Sequence, residues 1–373
     1  MTTTHAGAPT VVAAPTLLGV DHVELWVGNA RQAAAYFAGV LGFDPVAYAG
    51  PETGVSDRAS HVLEQGGIRV VVTAALSPDS PVAAHVRTHG DGVRAVSFTV
   101  ADAVNAYDAA VARGARTVER PRIERDEHGV LTTATVAAYG DTVHTFFGRN
   151  DYGGPFAPGY QPSELPRPAG PTVGLVALDH VVANVEEGAL DRWVSWYGDV
   201  FGLDQLLHFD EDQISTEFSA LRSTVVWNGD GVVLPVNEPA PGRRTSQIQE
   251  YLDTYRGAGV QHLALATDDI VQTVRALRER GLRFLGVPAS YYGEARERMA
   301  GVTLPWDQLA GLGILVDRDR RGHLLQVFTE PIGDRPTLFL EIIQREGARG
   351  FGEGNFKALF EAIEREQDRR GNL

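Results

Sequence analysis

The sequence predicts an α+β protein. Tandem βαβββ modules form two open β-barrel-like domains, one after the other, with helices outside the sheets. Three observations carry this reading. The chain repeats one pattern twice, a proline-rich stretch separates the copies, and in each copy strand-length apolar runs alternate with amphipathic runs that stop at glycine. Asp21-His22 opens the first copy and Asp179-His180 the second, and "AAAYFAGVLGF" is answered by "RWVSWYGDVFGL", which place helix ends at Gly42 and Gly202. "GVRAVSFTVADAVNAYDAAVARGARTV" then matches "GVQHLALATDDIVQTVRALRERGLRFL", with 22 residues from Gly92 to Gly114 and again from Gly259 to Gly281. In each, a strand passes through Asp102 or Asp269, where an N-cap or first-turn acid belongs, into a helix. One such unit leaves sheet edges open, so paired units are expected to share a curved sheet.

The boundaries follow. Asp151 to Gly174 holds Pro155, Pro158, Pro162, Pro166, Pro168 and Pro171, which no helix or central strand sustains, so residues 151–174 read as a linker between domains at 17–150 and 175–373. At 373 residues both domains are long enough for cores of their own. Residues 1–16 lack the basic start and apolar centre of a secretory signal and read as a disordered tail. The chain ends in a helix at 355–370 with Asn355 as its N-cap. Phe356, Leu359, Phe360 and Ile363 share one face, and the rest reads as a charged, solvated surface. A helix docked on the core and a lid over a pocket both fit this pattern, and docking is the simpler.

A net charge of −15 with no Lys/Arg cluster excludes the basic footprint that nucleic acid or an anionic membrane needs. There are no cysteines, so disulfides, thiolate sites and Cys nucleophiles are excluded, and any metal must be held by His and carboxylate. No apolar run of the roughly 18 residues that span a bilayer occurs. A cytoplasmic protein is expected. Nucleotide-binding glycine loops, HExxH and GxSxG are absent in the contexts that would give them meaning.

His180 in "LDHVV", His262 in "GAGVQHLAL" and Glu341 in "TLFLEII" lie on three predicted strands. Two neutral imidazoles and a carboxylate form the ligand set of a non-haem Fe(II) site with open positions. The first copy keeps His22 but has Ala95 where the second has His262. A His beside Asp on a strand is more often structural, and His22 shows that the repeat tolerates one. Glu341 in an apolar run is costly unless paired, and a shared metal satisfies all three residues where separate structural roles do not. Ser219, Asn237, Gln247, Gln261 and Gln326 add uncharged polar groups nearby in sequence. Phe328, Phe339, Phe356 and Phe360 add aromatic ones, and together they suit a small-molecule pocket. Buried amides are also ordinary satisfied core groups. Gln261 adjoins His262, so its side chain is expected on the opposite face unless the strand is bulged.

The stretches "GAGVQHLAL", "PVNEP", "SQIQEYL", "GILVDRD", "LLQVFT", "DRPTLFLEIIQR" and "GFGEGNFKALFEAIE" resemble the 4-hydroxyphenylpyruvate dioxygenase family of the vicinal oxygen chelate superfamily, over nearly the whole chain. The resemblance implies that His180, His262 and Glu341 bind one Fe(II) per chain, with a degenerate first domain. It also implies that Ser219, Asn237, Gln247, Gln261 and Gln326 contact substrate. Phe328, Phe339, Phe356 and Phe360 would wall the pocket, and the last helix would gate it. It further implies 4-hydroxyphenylpyruvate and O2 as substrates, homogentisate and CO2 as products, a place in tyrosine and phenylalanine catabolism, and a homo-oligomer. Three rivals stand beside it. A hydroxymandelate synthase oxidises the benzylic carbon of the same substrate, and Asn237 and Phe339 speak against it. A ring-cleaving extradiol dioxygenase would release no CO2. A metal-free aromatic-binding protein of the same fold would not need the intact triad.

Overall fold

A computed structural model describes residues 12–210 and 220–371. The first half runs β1 (Gly19–Trp26), α1 (Ala30–Gly39), β2 (Asp44–Ala49), β3 (Arg58–Gln65), β4 (Ile68–Ala75), α2 (Pro81–His89), β5 (Gly92–Thr99), α3 (Ala103–Ala112), β6 (Thr117–Asp126), β7 (Gly129–Ala137), β8 (Val143–Tyr152) and β9 (Gln161–Pro162). The second runs β10 (Leu175–Asn184), α4 (Leu190–Phe201), β11 (Asp204–Phe209), β12 (Ala220–Trp227), β13 (Val233–Ala240), α5 (Gln247–Tyr255), β14 (Gly259–Thr267), α6 (Ile270–Glu279), α7 (Tyr291–Arg298), α8 (Trp306–Leu312), β15 (Leu315–Arg318), β16 (His323–Phe328), β17 (Phe339–Glu346) and α9 (Phe356–Arg370).

The repeat is visible in topology. One sheet has the order β6-β7-β8-β5-β1-β4-β3-β2-β9 and the other, read from its opposite edge, β15-β16-β17-β14-β10-β13-β12-β11. Apart from the extra β9, the two orders are the same. Each central strand, β1 or β10, pairs antiparallel with β5 or β14 and parallel with β4 or β13. The parallel contacts β5–β8 and β14–β17 also correspond. This is the α+β architecture of two curled sheets that the repeat predicts.

Local chemistry explains the elements. Asp102 accepts from the Val104 and Asn105 amides, and Asp269 from that of Gln272, so both act as N-caps. Gly202 ends α4 in the left-handed conformation. Ile270, Thr273, Val274 and Leu277 form the buried face of α6. The proline-rich stretch contributes β9, a two-residue edge strand beside β2, a position where proline is tolerated.

The two halves do not keep separate cores. One apolar cluster runs from Leu17 through both sheets to Ala362. At the junction Phe98 meets Phe201 edge-on at 5.9 Å, and the Tyr197 hydroxyl donates to His144 Nε2 at 2.9 Å. No helix among the described residues is long and apolar enough to cross a membrane.

Candidate metal centre and pocket

Two β-bulges build the centre. Between β10 and β14 the register skips at Asp179, so Asp179 and His180 lean toward one another despite being neighbours, and the His180 Nδ1–H donates to Asp179 at 2.7 Å. A second skip falls at Gln261, where Val182 pairs with His262 and Ala183 with Val260. The bulge brings Gln261 to the same cavity as His262, whose Nδ1–H donates to Gln261 Oε1 at 3.0 Å. Strict alternation would have put them on opposite faces.

With both Nδ1 atoms engaged, both Nε2 atoms turn to Glu341 on β17. Its Oε2 lies 3.2 Å from His180 Nε2 and 3.5 Å from His262 Nε2, and all three residues are buried. These spacings suit a cation about 2.0–2.2 Å from each ligand atom. Hydrogen-bonding the far nitrogen of a ligating imidazole to a carboxylate or amide oxygen is the usual way of orienting it. Asp179 is held in turn by Arg345, Nε at 2.7 Å and Nη2 at 2.8 Å, and Phe351 packs edge-on against His180 at 5.1 Å.

The charges agree with the geometry. Burial opposes a charge on His180, but the Glu341 charge beside it and hydrogen bonds to Asp179 and Glu341 outweigh burial and push its pKa up to about 9. Burial pushes Glu341 up, yet the His180 charge and the hydrogen bonds from both imidazoles hold it at about 2. Burial lowers His262 against the pull of Glu341. The cluster is therefore built to hold one positive charge beside Glu341, which a proton or a metal cation can supply.

The centre opens on a cavity. Asn237, Gln247 and Gln261 line it, as do Phe328, Phe339, Phe356 and Phe360. Leu359 and Ile363 complete the apolar stripe of α9, so the predicted face of this helix meets the cavity. Phe339 stacks on His262 at 4.7 Å. Ser219 lies outside the described residues. Gln326 is not among the lining residues; it sits two positions before Phe328 on β16, with its amide against Gly352. Asn355 is not a side-chain cap, because a 3-10 turn at Glu353–Asn355 leads into α9 and its amide oxygen is taken by the Tyr291 hydroxyl at 2.5 Å. The charged side of α9 is not all solvated either. Glu364 and Gln367 are buried, and Arg370 pairs with Glu250 on α5 at 2.9 Å.

Sequence reasoning overlooked Arg345 and Phe351, and the repeat carried the signal for both. In the first half Asp21 is bulged in the same way, accepts from His22 at 2.6 Å and binds Arg149 at 2.6 and 2.9 Å, with Phe156 edge-on to His22 at 5.1 Å. What is missing there are ligands. Ala95 stands at the His262 position and Thr145 at the Glu341 position, and Ser97 bonds His22 Nε2 at 3.2 Å. The first half keeps the scaffold of the centre and His22, but lacks two of the three metal-binding groups.

Residues 19–150 and 177–327 each match the model of the glyoxalase/bleomycin resistance protein/dioxygenase superfamily. The chain is 47% identical over 365 residues to a 4-hydroxyphenylpyruvate dioxygenase of Dictyostelium discoideum, covering 95% of this chain and 100% of that one. It is 44% identical over 368 residues to a 4-hydroxyphenylpyruvate dioxygenase of Yarrowia lipolytica, covering 95% and 93%. A solved triple mutant of 4-hydroxymandelate synthase from Streptomyces coelicolor superposes with a TM-score of 0.83 at 36% identity, covering 95% and 99%. On this likeness, over nearly its whole length, the chain belongs to the 4-hydroxyphenylpyruvate dioxygenase family.

Proposed function

We propose that the chain converts 4-hydroxyphenylpyruvate and O2 to homogentisate and CO2, with Fe(II) held by His180, His262 and Glu341. The observation that carries this is the buried two-histidine, one-carboxylate cluster opening on a cavity of aromatic and amide side chains, in a chain of this family. Bound Fe(II) would supply oxygen activation and a template for the keto acid. The chain's residues do the rest. Asp179 and Gln261 keep both Nε2 lone pairs aimed at the centre. Phe328 and Phe339 flank the ring of the substrate, and the amides of Asn237, Gln247 and Gln261 orient its phenol, which places the ring for attack. Phe356, Leu359, Phe360 and Ile363 close the cavity over it and exclude water from reactive species.

The second reading is hydroxymandelate synthesis at the same site, favoured by the likeness to the Streptomyces coelicolor enzyme. Aerobic turnover of 4-hydroxyphenylpyruvate with added Fe(II), with CO2 and the aromatic product measured, separates them. Homogentisate with CO2 is expected. Hydroxymandelate as product, or no turnover by metal-loaded protein, overturns the proposal.

A further inference from the structure

A second group of metal-ligand type lies outside the centre described above. His85 and His89 sit at i and i+4 on α2 and so share one helix face. Asp141, in the turn between β7 and β8, meets both: its Oδ2 is 3.3 Å from His85 Nδ1 and 3.1 Å from His89 Nε2. For a cation held at about 2.0–2.1 Å in tetrahedral geometry, neighbouring ligand atoms fall roughly 3.3 Å apart. The spacings therefore match a metal site as closely as those around Glu341 do.

Hydrogen bonding points the same way. His89 Nδ1 lies 2.5 Å from the Tyr255 carbonyl oxygen, which only accepts, so that nitrogen carries a hydrogen. In the neutral ring Nε2 then aims its lone pair at a carboxylate oxygen, an arrangement that needs a cation between them. A backbone carbonyl on the far nitrogen is also the usual support of a ligating histidine. His85 is buried, and its Nε2 has no hydrogen-bond partner, so Nδ1, the nitrogen that faces Asp141, is the one placed to bind the ion. The cluster is also firmly placed. A side chain on Gly140 would collide with the Ala258 carbonyl oxygen, so the Asp141 turn is pressed against the approach to β14, and Arg94 donates to the Asp141 carbonyl oxygen.

We propose that His85, His89 and Asp141 form a second divalent-metal site, for a borderline ion of the Zn(II) or Co(II) class, that ties α2 and the β7–β8 turn to the end of α5. Asp141 is half-exposed, which leaves a path for the ion and room for a water ligand. The chain would then carry two metals, of which only one sits in the oxygen-activating centre.

The test is equilibrium dialysis against Co(II), with visible absorption as a second readout. About two equivalents per chain are expected for the unaltered protein. One should remain in His262→Ala/Glu341→Gln, one in His85→Ala/His89→Ala, and none in the combination of all four changes. Asp141→Asn keeps both rings and the helix intact, so it guards against a simple failure to fold. It should weaken the second site at least tenfold while circular dichroism stays unchanged. The proposal is overturned if His262→Ala/Glu341→Gln binds no Co(II), or if removing both imidazoles of α2 leaves the stoichiometry and the spectrum unaltered. It is equally overturned if His89 proves to be a protonated partner of Asp141 in protein saturated with Co(II).

Discussion

Asp179→Asn is the most instructive perturbation, because the fold contains its own control. The Asp179 carboxylate accepts from His180 at 2.7 Å and from Arg345 at 2.7 and 2.8 Å. Burial pushes its pKa up, but these hydrogen bonds and charges hold it well below the ordinary carboxylate range. Asparagine preserves shape while removing the charge, leaving a largely buried guanidinium without its counter-ion. Breaking such a pair costs about 3–5 kcal/mol, with the lower end expected because an amide oxygen can still accept. Loss of the partner that orients His180 should also weaken metal binding by roughly 10–100-fold, or ~1.4–2.7 kcal/mol. Asp21→Asn breaks the equivalent arrangement with His22 and Arg149, where Ala95 and Thr145 replace the other ligands. It should cost comparable stability and leave metal affinity at the Glu341 centre unchanged. Urea unfolding of metal-free protein and anaerobic Fe(II) titration of both variants read the two effects separately. If both variants weaken Fe(II) equally, or if Asp179→Asn binds it like the parent, Asp179 does not orient a metal ligand.

Glu341→Gln leaves two imidazoles and no anionic ligand, and Fe(II) titration should show a larger loss of affinity than Asp179→Asn. Phe360→Ala removes a buried anchor of α9. Limited trypsin digestion should then cleave at Arg365 and Arg369 faster than in the parent, while the melting of the sheets is unchanged, because helix ends open locally. His144 is fully buried, donates to the Val96 carbonyl oxygen at 3.1 Å, and is depressed to about 4 mainly by burial. Its folded pKa lies below the unfolded value near 6.5, so the unfolded chain binds the proton first and stability is lost as pH falls from 6.5 toward 4, by about 3 kcal/mol. His144→Gln should flatten that part of the urea-midpoint profile; an equally steep decline would show that burial of His144 is not its cause.

Much of this protein was legible in one dimension. Helix and strand periodicities depend on nearest neighbours, so the elements could be read and the repeat between "GVRAVSF" and "GVQHLAL" recognised. Ligand chemistry depends on residue type, so His180, His262 and Glu341 stood out as candidate ligands, and Ala95 set the first half apart. Register was not legible. The bulges at Asp179 and Gln261 arise from how β10 meets β14, and they overturn strict alternation at the two positions that support the ligands. Arg345 reaches Asp179 across 166 residues, and Asp141 reaches His85 and His89 across 56 and 52. Only the sheet order brings those partners together. By itself the sequence determined the elements, their duplication and the kinds of group available to a metal. The tertiary structure alone decided which groups face one another, because pairing, bulges and shared burial arise between segments that carry no local record of their partners.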